Sequence, residues 1–411
     1  MKEFKLMLFE LAWGGHYPGY IMHLVRYWCE NNLVGSLDIV VIPEFLEKHS
    51  DVVYLASTYG VNNVNFIAIS PEELETLSPR NSVVSRARRS FEEWDLIYKY
   101  VKKLKPEHCL IMFFDTRQYP LALHRQLPCP FSSIYFRPTF HYDSFVDRFM
   151  SWRERLQQWR ERFLMSRIMQ HRQLQTLFCL DPFVVEHLDR FNGKVKSVYL
   201  PDPVFTYDSY EPDPEALRNS LGVEPNRQIY LLFGGLSGRK GICELLEATT
   251  LLTSDLSQKL CILLVGPMGE DDNPQNKLKM DHYIAEITRS QDVQIIVEDR
   301  FVPDREIQSY FKMADVILAP HQRHVGMSAN LVRAAVAQKP LLSSDYGLMG
   351  EIARQYQLGL TVDSTIPKEI AKGLTQFLVK SPAQFGDRSQ MQRFAEQNTA
   401  KKFATTIFQN L

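Results

Sequence analysis

Glycine lets a backbone come close to an anion, and lysine and arginine supply the donors that hold one. Both kinds meet in Gly234-Gly235-Leu236-Ser237-Gly238-Arg239-Lys240-Gly241, which lies between an apolar run ending at Phe233 and a segment of helical period with Glu244, Leu245, Leu246 and Ala248. A helix N-terminus placed there offers backbone N–H groups and its positive dipole end, to which Arg239 and Lys240 add charge. The chemistry this pattern suits is the cradling of a diphosphate. It is not a Walker loop, because Gly241 follows the lysine, and it lacks the Gly-x-Gly-x-x-Gly spacing of a dinucleotide site. Its bland alternative is a solvated strand-to-helix turn.

A second strand-to-helix junction runs from Ala314-Asp315-Val316 through Pro320 and His321 to Gly326-Met327-Ser328, opening a helix that reaches Gln338. There too the backbone around Gly326, Met327 and Ser328 can face an anionic ligand. The next apolar run ends in Ser344-Asp345-Tyr346-Gly347, so several loops converge on one mouth.

The first half of the chain carries a different set. Its opening run ends in Glu10-Leu11-Ala12-Trp13-Gly14-Gly15-His16-Tyr17-Pro18-Gly19. Gly14 and Gly15 can admit a phosphate or sugar, His16 can donate a hydrogen bond, and Trp13 and Tyr17 can stack on a sugar or fill the domain edge. Later runs end near Asp115 and Arg117, and near Arg137, His141 and Asp143.

The elements that must position these residues follow from periodicity. Apolar runs at Phe4–Phe9, Leu37–Ile42, Val64–Ile69, Cys109–Phe114, Ser132–Phe136 and Thr176–Leu180 alternate with helical segments, the βαβ rhythm of a covered parallel sheet. The rhythm breaks at Leu200-Pro201-Asp202-Pro203 and restarts with Gln228–Phe233, Leu260–Val265, Val293–Val297, Val316–Ala319 and Pro340–Ser343. With 411 residues, two cores of about 200 residues each are expected. We expect an α/β protein of two Rossmann-like domains facing a central cleft: 1–200; a linker, 201–226; 227–383; and a C-terminal helix, 384–411, free to pack back on the N-terminal domain. Ligands belong at the carboxyl ends of the strands.

Composition narrows the partners. The chain holds 47 Lys and Arg against 48 Asp and Glu, which argues against nucleic acid as the main partner. Six cysteines are scattered without Cys-x-x-Cys or metal-ligand spacing, and they read as buried thiols in a reducing compartment, the cytoplasm. The N-terminal run lacks the features of a signal peptide, and no apolar run approaches the ~20 residues of a membrane span.

In order and spacing, Lys240-Gly241, Val265-Gly266-Pro267, Arg300-Phe301-Val302, Ala314-Asp315-Val316, Gly326, Pro340 and Ser344-Asp345-Tyr346-Gly347 resemble the motifs of the glycosyl transferases group 1 family, over roughly residues 228–362. The resemblance implies a GT-B fold and transfer of a sugar from a nucleotide-diphosphate donor to a hydroxyl of a glycan, lipid or small-molecule acceptor. Donor diphosphate would lie against Gly15, Gly235, Arg239, Lys240, Gly326, Met327 and Ser328, and the nucleoside against Phe301, Val302 and Arg333. An N-domain histidine approaches the sugar in retaining relatives, which implies His141, with His16 and Arg137 as rivals for a catalytic role. The sequence departs from the family where its two glutamates fall on Val325 and Arg333. A non-hydrolysing sugar-nucleotide epimerase, or a degenerate nucleotide- or sugar-binding protein, are the alternatives.

No Asp-x-Asp triplet occurs, so no metal and no cofactor is expected, and Arg239, Lys240 and helix dipoles would meet the diphosphate charge. Residues 144–172 read as one long helix with Phe145, Phe149, Trp152, Leu156, Trp159 and Phe163 on one face and seven arginines. Two readings stand: a stripe packed into the core with solvated arginines outside, which is favoured, or peripheral contact with an anionic membrane or lipid-linked acceptor.

Overall fold

The structure is a computed structural model that describes residues 4–145, 151–268, 274–290 and 292–411. The chain forms two compact units, Met1–Pro203 with Ala400–Leu411, and Val204–Thr399.

The first unit is a seven-stranded parallel sheet: β1 (Phe4–Phe9), β2 (Gly35–Val41), β3 (Val64–Ala68), β4 (His108–Ile111), β5 (Phe131–Tyr135), β6 (Leu174–Cys179) and β7 (Lys196–Tyr199), ordered β3-β2-β1-β4-β5-β6-β7. The inner strands are apolar along their length because helices cover both faces. Leu6, Leu8, Leu37 and Ile39 are fully buried in register. The order reverses between β1 and β4, so the ends of those strands form the switch point where open sheets bind ligands.

The second unit repeats the plan with six parallel strands: β8 (Gln228–Phe233), β9 (Leu260–Val265), β10 (Gln294–Glu298), β11 (Val316–Ala319), β12 (Leu341–Ser344) and β13 (Gly359–Val362), ordered β10-β9-β8-β11-β12-β13. Asp315 pins β11 to β8 at their starts: its N–H donates to Ile229 O at 2.8 Å, and its carboxylate accepts from Ile229 N–H at 2.8 Å.

Three boundaries differ from expectation. The expected linker 201–226 contains a helix, Pro214–Ser220, capped by Asp213 and packed on the Asp304–Met313 helix. The expected C-terminal helix is two helices, Arg388–Gln397 in the second unit and Ala400–Phe408 in the first. Asn398 breaks it, with its N–H on Ala395 O and its amide on Phe394 O. Residues 144–172 are not one helix either: Ser151 and Glu154 form a capping box that starts the helix at Trp152, and it ends at Ile168. Phe149 of the expected stripe lies outside the described residues.

That helix also turns the opposite way from the favoured packing. Trp152, Leu156, Trp159 and Phe163 are exposed, while Gln158, Glu161, Leu164, Met165 and Ile168 are buried. Glu161 draws the inner face inward, accepting from the Tyr135 and Thr139 hydroxyls and from Thr139 N–H. All six cysteines are free and buried, as expected. No helix among the described residues is long and apolar enough to cross a membrane.

Candidate active site

In the second unit the glycine-rich turn stands at the end of β8. Gly234 has φ +103°, and a β-carbon there would lie 3.1 Å from Lys240 Nζ. The ammonium folds back over the strand end and donates to Phe233 O at 3.1 Å, an oxygen that also accepts from Asn330 Nδ2 at 2.9 Å. An ammonium has three protons, and this bond takes one. Burial, reinforced by the Arg239 charge, brings the Lys240 pKa down to about 8. Such a lysine regains a stable charge when an anion binds. Arg239 beside it is exposed.

Gly241 shows why this turn demands glycine. Its φ is +73°, and a β-carbon would sit 2.1 Å from Pro320 O and 2.8 Å from Gln322 Nε2. The β8 turn and the loop after β11 therefore touch backbone to backbone, joined also by Gln322 N–H to Arg239 O at 2.9 Å. Gln322 Nε2 donates to Ser364 O, and Ser364 Oγ lies 2.8 Å from His321 O and 3.0 Å from Ser344 Oγ. Loops after β11, β12 and β13 are thus tied together around one mouth.

His321 lies within that lattice, buried, with no hydrogen-bond partner for Nδ1. Burial first, then the Lys240 charge, pushes its pKa well below the ordinary value, so the imidazole is neutral beside a cation. Gly326, at φ +99°, leads through Met327 to Ser328, the N-cap of the Ala329–Ala337 helix, whose side chain makes no cap hydrogen bond. The structure therefore brings Gly235, Arg239, Lys240, Gly326, Met327 and Ser328 to the ends of β8 and β11.

The nucleoside candidates separate. Phe301 is 78% exposed just beyond β10, and Val302 beside it is buried. Arg300 fixes that turn through Glu298 and Glu306. Arg333, in contrast, lines a cavity of about 90 Å³ with Phe205, Tyr207, Gln308 and Phe311.

In the first unit, Gly15 (φ +69°) is open, with nothing within 4 Å of a β-carbon. His16 follows, its ring stacked on Phe136 at 5.0 Å and tilted over Tyr17 at 4.6 Å and Tyr20 at 5.1 Å. Its edge is exposed, yet desolvation by that aromatic crowd, with the Arg137 charge, lowers its pKa to about 4. Arg137 is exposed, its guanidinium 5.9 Å from the Phe113 ring centre. Asp115 sets its backbone by accepting from Phe136 and Arg137 N–H at 3.0 and 2.9 Å, and burial raises the Asp115 pKa to about 6. Trp13 is covered by Lys48, whose ammonium is 3.6 Å from the ring centre.

His141 does not join them. It is fully buried, with Nε2 2.9 Å from Asp181 Oδ2, while Asp181 Oδ1 accepts from Phe183 N–H at 2.8 Å. The ring thereby holds the loop after β5 to the loop after β6. His141, expected as a catalytic group, thus stands in a buried hydrogen bond, whereas His16 and Arg137 are exposed at the strand ends.

Three residues at the strand ends were given no role by the sequence alone. Glu10, directly after β1, is buried with Oε1 on Ala12 N–H at 2.8 Å, and burial, opposed by Arg117, raises its pKa to about 7. Asn330 and His321 complete the second mouth. A polar residue immediately after an apolar strand was the available signal for Glu10; Asn330 offered none, because its partner is 97 positions away.

Two parallel Rossmann-like units in one chain define the GT-B fold. The chain aligns over 98% of its length with sucrose-phosphate synthase from Thermosynechococcus elongatus (TM-score 0.68, 15% identity, 97% of that chain). It aligns equally over 98% with HepE of Anabaena in complex with UDP-glucose (TM-score 0.64, 12% identity, 98% of that chain). Residues 213–398, nearly the whole of the second unit, match the family model of glycosyl transferases group 1. Alpha-maltose-1-phosphate synthase of Mycolicibacterium smegmatis is 27% identical over 199 residues, 48% of this chain and 47% of that protein. The chain spans less than half the length of the curated relatives it matches.

Proposed function

We propose that the protein is a glycosyltransferase that moves a sugar from a nucleotide-diphosphate donor to a hydroxyl of a glycan, lipid-linked or small-molecule acceptor, without a metal ion. The observation that carries this reading is Lys240, held over the end of β8 by Phe233 O, beside a Gly241 that no other residue can replace. As the bond between the sugar and the diphosphate breaks, negative charge grows on the leaving phosphate. The Lys240 ammonium, Arg239 and the start of the Ala329–Ala337 helix answer that charge. Charge supplied by these groups is what supports metal independence.

UDP-sugars are the first donors to test, since HepE of the same fold was solved with UDP-glucose. On the acceptor side, His16 is neutral at physiological pH and serves as a hydrogen-bonding group for a hydroxyl, with Arg137 beside it. Six free buried thiols suit the cytoplasm. Calorimetric titration with UDP, GDP, ADP and their sugar conjugates in EDTA tests the reading. Micromolar binding of one nucleotide, lost in Lys240→Ala, supports it; unchanged affinity in that variant overturns the donor site.

A second reading, donor binding without turnover, is favoured by Val325 and Arg333 at the positions of the family's glutamates. Binding of a sugar nucleotide without transfer or epimerisation, across a panel of acceptors, would select it.

A further inference from the structure

We propose that the outward face of the Trp152–Ile168 helix is a docking surface for an anionic lipid bilayer. Trp152, Leu156, Trp159 and Phe163 recur at helical spacing and are 69%, 57%, 66% and 56% exposed. They form one row about 16 Å long, at 1.5 Å per residue. Trp159 and Phe163 stack at 6.1 Å with their planes 14° apart, so the row is continuous. Single exposed apolar residues need no explanation, but four large ones in line do.

The inner face shows that this orientation is specified. The fold buries Gln158 and Glu161 there and gives Glu161 three hydrogen bonds, while two tryptophans stay outside. A helix whose purpose was core packing would be rotated the other way.

Charge names the occupant. At about 100° per residue, Arg155 and Arg162 fall to one side of the row and Arg153, Arg160 and Arg167 to the other, roughly 50–90° from its centre. All five are exposed. Arg162 pairs with Asp143, and the other four make no salt bridge among the described residues. An apolar ridge of tryptophan, leucine and phenylalanine with arginine along both flanks matches the layering of a bilayer interface: acyl chains under the ridge, lipid phosphates at the guanidinium groups. A second copy of this chain would place arginine against arginine, and an ordinary protein partner does not call for cations on both edges.

The test is flotation of the purified full chain with vesicles of equal parts phosphatidylglycerol and phosphatidylcholine, and with phosphatidylcholine alone. The expected result is binding to the anionic vesicles, about tenfold weaker or more on the neutral ones, and weakened by salt. The double variant Trp152→Ser, Trp159→Ser keeps every charge and is expected to lose binding about tenfold or more. Arg153→Gln with Arg160→Gln is expected to lose the preference for anionic lipid. These positions are exposed, so an unchanged thermal midpoint certifies the fold of each variant. Absence of binding to anionic vesicles, equal binding to both kinds, or retention in the tryptophan variant overturns the proposal. So does a dimer in analytical ultracentrifugation that the tryptophan variant splits, which assigns the face to a second copy. The assay reads neither nucleotide nor sugar, so its outcome is independent of the proposed transfer.

Discussion

At the ends of β1, β4 and β5 the first unit carries buried acids, Glu10 and Asp115, and an aromatic cluster around His16. At the ends of β8 and β11 the second unit carries glycine turns locked against each other and a half-buried lysine. The strand plan is the same, with reversal beside the first strand of each sheet. What differs is how each makes use of the space at the switch point. A glycine required by packing brings backbone to an anion. A glycine in open space, as at Gly15, leaves the turn free to accept what the side chains choose.

The largest effect that separates the two is steric. Gly241→Ala is expected to cost the second unit about 4 kcal/mol, because the new carbon meets Pro320 O and φ is positive. Gly15→Ala, strained in φ alone, is expected to cost about 1 kcal/mol. Urea unfolding of both variants measures the gap, and equal losses would erase the distinction.

Next comes Glu10. Its carboxyl holds a proton up to about pH 7 in the fold but releases it near the ordinary value of 4.5 when unfolded. The folded state therefore binds more protons across that window, and stability falls as pH rises through it, by about 3 kcal/mol in total. Glu10→Gln is expected to flatten the slope between pH 5 and pH 8 in urea unfolding, whereas Lys240→Ala is expected to leave it in place.

Lys240→Ala is expected to weaken nucleotide-diphosphate binding about a hundredfold, a loss of roughly 2–3 kcal/mol for a charged hydrogen bond. Arg137→Ala is expected to leave that affinity within about twofold and instead raise KM for the acceptor. The last effect is on pH: with Lys240 at about 8, wild-type nucleotide affinity is expected to decline above pH 8, by at most about tenfold per unit, and Lys240→Arg to abolish the decline.

Much of the fold was legible in the residues. Gln228–Phe233, Leu260–Val265 and Val316–Ala319 are central apolar runs, and they are strands with those limits. The strands that escaped notice, β7 and β13, are the outer edges of their sheets, half-exposed and four residues long, so their side chains carry little pattern. The second mouth was legible because its parts are contiguous: glycines, arginine and lysine stand side by side. The first mouth was legible in part, since a burial such as that of His141 depends on Asp181, 40 positions on. The Trp152–Phe163 row had the right period but the opposite face, because no periodicity reveals that Glu161 has partners on β5 and in the loop beyond it.

The division of the chain also has a consequence for the order in which it is made. Phe403, Ala404 and Ile407 are fully buried in the first core, Phe403 lies 4.8 Å from Tyr20 ring to ring, and Asn410 O accepts from the Thr176 hydroxyl. The second unit is one uninterrupted stretch, Val204–Thr399. During synthesis every residue of the second unit leaves the ribosome before the last helix of the first. The first unit is thus closed only after the second has been made, and its apolar surface around Tyr20, Tyr27 and Trp28 waits for Phe403 and Phe408 to cover it.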